Sequence, residues 1–389
     1  MEIKRTRERR RKENRKLHLH MAYCFAGMVL LLLAASIIQP DRKTSEEENR
    51  VLAGFPKFGL ESIKNKDYMT GLESYASDQF VLRDAWISLK VQCDFLAGKR
   101  EFNGVYLGKK KYLMQIPSEM DEKNTQENPE AINQFYKKNH DVLMNTLIVP
   151  NAAYIMKDYL PIGAPVRDQG ADMEYIRKQL SGDIGCIDIT DTLKQHAKEG
   201  IYYKTDHHWT TRGAAYGFNA AAKSMDIQGI VTEYKIYTVA TDFSGTLASR
   251  SGYHKAEDTV EIYEPENVEI QYLVNDSDND EKRPTLYDRT ALDGKDKYQV
   301  FFGGNHAMVD ISTTNDKGRR LLIFKDSYAN CFVPFLLPYY TEIVMIDPRY
   351  YYDNVQTLMN NKGITDVLFL YNMDTFLTDN FLADVLEGE

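Results

Sequence analysis

The chain sets Asp206, His207, His208 and Trp209 in one run, TDHHWT, and more than a hundred residues later places Ser327 in KDSYAN. A serine hydroxyl becomes a working nucleophile only when a base accepts its proton, and the base works best when a carboxylate fixes its tautomer and stabilises its charge. Asp206 and His208 are separated by one residue, so in an extended segment both side chains fall on one side, within hydrogen-bond reach of each other. His207 then points away and is expected to be structural. Ser327 follows the apolar run LLIF at a strand-to-helix turn, where Oγ is exposed and the helix N-terminus offers backbone N–H groups to an oxyanion. The expected roles are nucleophile for Ser327, base for His208 and orienting acid for Asp206.

Each of these residues also has a plainer use. A serine at such a turn can serve only as a helix N-cap, and Asp326 is expected to be a cap or structural partner. Asp206, His207 and His208 are all possible metal ligands. Adjacent residues in an extended segment diverge, however, and no H-x-x-x-H, H-x-H or second acidic cluster follows, so neither a metal nor another cofactor is expected. Trp209 could pack beneath the motif or stack on a sugar.

The elements that must position these groups follow an alternating pattern. Residues 129–145 suggest a helix, TLIVP a strand, MEYIRKQL a helix and IGCIDI a strand, and the helix opened by the TDHHWT run should span about Thr210 to Met225. Residues 228–300 differ, with the acidic turn VNDSDNDEKRP between short pieces such as VEIQYLV and YQVFFGG, which suggests a β-rich insertion at a domain edge. The last ninety residues alternate again: strand Leu321–Phe324, helix from about Tyr328 to Leu336, strand Glu342–Ile346, helix Asp353–Asn361 stopped by Gly363, and strand Asp366–Leu370. Short apolar runs linked by helices predict an α/β fold with a parallel sheet buried on both faces. Ligands bind beyond the carboxyl ends of such strands. That singles out Arg349 in DPRY after the second strand, Asn372 after the third and Tyr328 beside the serine as candidate oxyanion or substrate-binding groups. Arg349 could instead form a salt bridge within the fold.

Residues 1–16 hold nine Lys and Arg against three Glu, while the whole chain carries a formal −9, so everything after residue 16 sums to −15. An acidic remainder argues against nucleic acid as a partner. The basic run precedes MAYCFAGMVLLLLAASII, Met21 to Ile38, eighteen residues without a formal charge and long enough for a membrane-spanning helix, which Leu17 and Leu19 extend. Positive charge favours the cytoplasmic side. The expected layout is a cytoplasmic tail (1–16), a single transmembrane helix (17–38), a juxtamembrane connector with a helical segment (39–100) and an extracytoplasmic catalytic domain (101–389) carrying the insertion. A cleaved signal peptide is the competing reading, and it also exports the domain. Four cysteines are too few for a disulfide framework and lack metal-ligand spacing.

The strings SEEENRVLAGFPKF, TDHHWT, KDSYAN and IDPRYY occur in an order that resembles the DHHW family of exported bacterial proteins, which is similar to the SGNH-like subunits of alginate O-acetylation. The resemblance implies an SGNH-hydrolase-like sheet flanked by helices, with Asp206 and His208 as acid and base, Ser327 as the acyl-carrying nucleophile and Asn372 as the oxyanion asparagine. It further implies O-acetyl transfer to a cell-surface polysaccharide, with an MBOAT-type membrane protein exporting the acyl group. An SGNH-type esterase or deacetylase and a non-catalytic surface assembly component are the alternatives. The alginate proteins differ at the position of His207, so the polymer is not carried over.

Overall fold

The structure is a computed structural model and describes residues 2–45, 47–48, 50–277 and 281–388. Glu46 and Asn49 of the SEEENRV string, the side chains of the basic tail through residue 9, and the tip of the acidic turn at 278–280 lie outside the described residues. The chain forms two compact units, Met1–Asp94 and Phe95–Glu389.

In the first unit, α1 (Glu2–Ile38) continues from the basic tail through the apolar run. Leu, Ala and Met favour helix, and Pro40 bars its continuation. Its stretch Arg10–Ile38 is, among the described residues, the one helix long and apolar enough to cross a membrane. Three further helices follow, Leu60–Lys64, Asp67–Asp78 and Arg83–Leu96. The Arg50 guanidinium and the Ala53 N–H both donate to Asp78, which ties the RVLAG stretch to the second of these helices.

The second unit is built on an eight-stranded sheet. In chain order its strands are β1 (Leu143–Val149), β2 (Gly185–Ile187), β3 (Tyr272–Asp276), β4 (Glu281–Arg283), β5 (Met308–Thr313), β6 (Arg320–Lys325), β7 (Glu342–Ile346) and β8 (Asp366–Asn372). Their spatial order is β4-β3-β5-β7-β6-β8-β1-β2. The five strands from β7 to β2 are parallel, and β5, β3 and β4 extend one side antiparallel. Successive side chains on a strand face opposite layers. Leu321 and Ile323 accordingly enter one core with Phe218, whereas Leu322 and Phe324 enter another with Phe135. Burial on both faces explains the unbroken apolar runs and gives the expected α/β arrangement.

Several elements differ from the sequence expectation. The helix placed at 129–145 is α2 (Glu122–Lys138), started by the Asp121 carboxylate accepting the Lys123 and Asn124 N–H groups and containing Pro129. β1 takes 143–149, part of what that pattern gave to helix. The helix of MEYIRKQL starts earlier, as α3 (Gln169–Gln179), and the one after TDHHWT is α4 (Thr211–Ala221) with Thr210 as its cap. The expected helix from Tyr328 to Leu336 is two 3-10 turns, Ser327–Ala329 and Val333–Leu336. Asp353–Asn361 becomes α5 (Val355–Lys362), closed by left-handed Gly363 at φ 59°. Within the insertion, Tyr234–Phe243 and Asp258–Pro265 pair as a separate hairpin, and YQVFFGG is a 3-10 turn at Lys297–Val300 followed by a tight bend.

Candidate active site

The strand ends β6, β7, β8 and β1 lie together at one end of the sheet, and KDSYAN leaves β6 there. Ser327 Oγ stands 2.7 Å from His208 Nε2, and His208 Nδ1 stands 2.6 Å from Asp206 Oδ1. The segment carrying Asp206 and His208 is a turn, in which Asp206 Oδ1 also accepts the His208 N–H at 3.0 Å. Asp206 Oδ2 accepts the Thr246 N–H at 2.8 Å and the Thr246 hydroxyl at 2.9 Å. The carboxylate thus receives four donors while almost fully buried. Burial opposes its charge, but the two imidazoles and these donors prevail and hold it well below the usual carboxylate range. An ionised Asp206 requires His208 Nδ1 to be the donor, which leaves a lone pair on Nε2 facing the serine hydroxyl.

Crossed contacts lock the two sequence stretches in register. Trp209 Nε1 donates to the Tyr328 carbonyl at 2.9 Å, and the Tyr328 hydroxyl donates to the His207 carbonyl. The Tyr298 hydroxyl donates to the Ser327 carbonyl at 2.9 Å, while its ring stacks on His208 with centroids 3.9 Å apart. Asp326 accepts the Tyr328 N–H at 2.9 Å and the Asn372 N–H at 2.8 Å, fastening the serine turn to the end of β8. The Ser327 N–H has no acceptor among the described residues, so it can donate to the carbonyl oxygen of an acyl group bound at Oγ.

Asp258 supports the run from the hairpin side by accepting the Lys204 and Thr205 N–H groups at 2.8 and 2.7 Å. Gly245 lets Thr246 approach. A Cβ there would lie 2.4 Å from the Asp206 Cβ.

Residues 129–346, more than half of the chain, match the model of the DHHW protein family. The chain belongs to the DHHW family. Among solved structures it is similar to a DHHW family protein from Eubacterium siraeum, at 24% identity and TM-score 0.64 over 74% of this chain and 96% of that one. It is also similar to Bacillus cereus PatB1, at 21% identity and TM-score 0.60 over 70% and 97%. A second PatB1 structure, at 20% identity, TM-score 0.59 and 71% and 98% coverage, carries a sulfonyl adduct. No curated protein sequence matches the chain. At these identities the likeness is one of fold.

In this DHHW protein Asn372 and Tyr328 have different surroundings from those expected, whereas Arg349 and Trp209 take the structural roles that were their alternatives. Asn372 caps the helix after β8, its Oδ1 accepting the Asp374 N–H at 3.0 Å and its Nδ2 donating to the Val149 carbonyl at 3.2 Å, so its amide is engaged inside the fold. Arg349 chelates buried Asp347 through Nε and Nη2 at 2.8 and 2.6 Å, with Lys325 3.6 Å away on the same carboxylate. It is an internal ion pair. Tyr328 is buried, and its hydroxyl is spent on the His207 carbonyl. Trp209 is fully buried against Phe332, which leaves no face for a sugar.

His207 departs furthest from expectation. Because the segment turns, it does not point away: its ring lies 3.9 Å from that of His208, and its Nδ1 is 3.5 Å from Asp206 Oδ1. The three DHH side chains therefore converge, as a metal site would require. Nδ1 of His208 and Oδ1 of Asp206 are nonetheless at hydrogen-bond separation, and Nε2 is directed to Ser327. Thr246 and Tyr298 went unnoticed in the sequence because nothing in SGTLAS or DKYQV ties them to the DHHW run.

Proposed function

We propose that this protein is a membrane-anchored, extracytoplasmic O-acyltransferase that carries an acyl group, acetyl above all, on Ser327 and delivers it to a hydroxyl of a cell-surface polysaccharide. The observation that carries this reading is the unbroken path from Ser327 Oγ through His208 to Asp206 at 2.7 and 2.6 Å. Ser327 Oγ attacks the donor carbonyl while its proton passes to His208 Nε2, and the Ser327 N–H meets the developing oxyanion. The tetrahedral adduct collapses with expulsion of the donor's leaving group, which takes the proton back from His208. An acceptor hydroxyl then gives its proton to His208, attacks the acyl-serine and leaves as the ester, and Ser327 recovers its hydrogen.

The resemblance to alginate O-acetylation proteins supports acetyl as the group and a membrane acyl exporter as the source. Bacillus cereus PatB1 forms a sulfonyl adduct, and with Ser327 Oγ beside His208 Nε2 an arylsulfonyl fluoride is expected to modify Ser327 here. The test is to supply the full-length chain in detergent with an activated acetyl ester, with and without a soluble oligosaccharide. Acetylated oligosaccharide marks a transferase. Release of acetate at a rate indifferent to the sugar marks an esterase, and no turnover in either case marks a non-catalytic component.

A further inference from the structure

We propose that the exposed apolar stripe of the helix Arg83–Leu96 lies in the lipid–water interface of the extracytoplasmic leaflet, so that the first unit holds the membrane with a surface helix as well as with α1. This placement rests on α1 spanning the membrane, as proposed above, and is independent of the chemistry at Ser327.

Within the first unit, the turn between the helices Asp67–Asp78 and Arg83–Leu96 is fastened to the end of α1. The Val81 N–H donates to Ser36 Oγ at 3.1 Å, and Gln39 Nε2 donates to the Gln79 carbonyl at 2.5 Å. Gln79 is bound in turn to the residues after α1, its Oε1 accepting the Arg42 N–H and its Nε2 donating to the Arg42 carbonyl, both at 2.9 Å. Ser36 belongs to the apolar run that ends at Ile38, and two residues of helix separate their levels by about 3 Å. Val81 therefore sits level with the last residues of the spanning segment. Water is scarce there, a backbone N–H needs a protein acceptor, and Ser36 supplies it.

From that level an apolar stripe leads along the next helix. Leu82 follows Val81 directly, and its carbonyl accepts the Trp86 N–H. Leu82, Trp86, Leu89 and Cys93 succeed one another at spacings of four, three and four, so they share one face. All four are exposed, Leu82 at 66%, Trp86 at 42% and Leu89 at 50%. Buried Val91 marks the opposite face, and Lys90 and Gln92 border the stripe on its two sides. An apolar face with polar borders and a tryptophan suits a helix lying at the headgroup level. The same spacing also fits the helix of a second copy. The stripe begins, however, beside a residue that the Ser36 bond holds at the membrane boundary, so lipid is the medium it meets first.

The chain has two tryptophans, Trp86 and the fully buried Trp209, so the difference between wild type and Trp86→Phe reports Trp86 alone. The test reconstitutes the full-length protein in phosphatidylcholine–phosphatidylglycerol vesicles, with lipid brominated near the headgroup end of its acyl chains, and reads emission after flotation. Bromine is expected to quench Trp86. The quenched component should be lost in Trp86→Phe and diminished in Leu89→Asp, which sets a charge on the exposed stripe, while Trp209 emission is unchanged in both. Floating protein whose Trp86 is not quenched overturns the placement, and a disulfide joining the Cys93 residues of two chains in that protein would assign the stripe to a second copy. Protein that fails to float overturns the spanning reading of α1 itself.

Discussion

Asp206 does three things at once: it orients His208, fixes its tautomer and accepts the donors of Thr246. Replacing it with Asn keeps the volume but sets an amide N–H against groups that already donate. Asp206→Asn should lower kcat for acetyl transfer roughly ten-thousandfold, measured with the activated ester. The same residues govern acid stability. His207 is held below its ordinary 6.5, at about 4, so folding favours its neutral form; that contribution is present above pH 6.5 and is lost as pH falls towards 4. Asp206, depressed as well, adds a loss at lower pH still. Thermal melts should therefore show Tm falling between pH 6.5 and 4.5, and falling less in His207→Gln. At this scale Asp206, His208 and Ser327 were readable because an acid, a base and a serine after an apolar strand form a short list. His207 was misplaced because the extended geometry assumed for TDHHWT is a turn closed by the Asp206 side chain, a tertiary outcome that spacing does not reveal.

At the level of elements, the site depends on close approaches that only small residues permit. The start of the Thr246–Ser251 helix is set against Asp206 at Gly245, and α4 is set against the Trp209 ring at Gly217, where a Cβ would come 2.7 Å from the indole. Gly245→Ala should cost about 1–3 kcal/mol of stability by overpacking and lower the rate of Ser327 acetylation, since the displaced groups are the Asp206 carboxylate and its donors. Denaturant unfolding and the acetylation rate check this together; a variant unchanged in both would show that the loop yields freely. The strands β6, β7 and β8 were legible because burial on both faces leaves a continuous apolar run. β5 was not, since MVDIST interrupts its apolar positions with a charge, and its place is set by antiparallel pairing to β3 and β7. The segment after Ser327 looked helical by composition but folds as 3-10 turns, with Pro334 opening the second and the Asp326 carboxylate fixing the first.

For the whole molecule, one unit carries the long apolar helix and the other the α/β sheet. If the helix is an anchor, the intact chain should stay in the membrane fraction after an alkaline carbonate wash and retain its N-terminal basic residues by mass. A soluble chain shortened near residue 38 would instead indicate a cleaved signal sequence. The basic-then-apolar order made the helix legible, because hydropathy acts locally. Sheet order was beyond local patterns, since it places β8 between β6 and β1, strands separated by more than 170 residues. The proposed acyl transfer requires Ser327 to carry the acyl group. The direct measurement is to incubate the full-length protein with an activated acetyl ester, quench in acid and locate added acetyl by peptide mass. One acetyl group is expected on Ser327, absent from Ser327→Ala and strongly diminished in His208→Ala. Label confined to other residues, or undiminished in both variants, would contradict it.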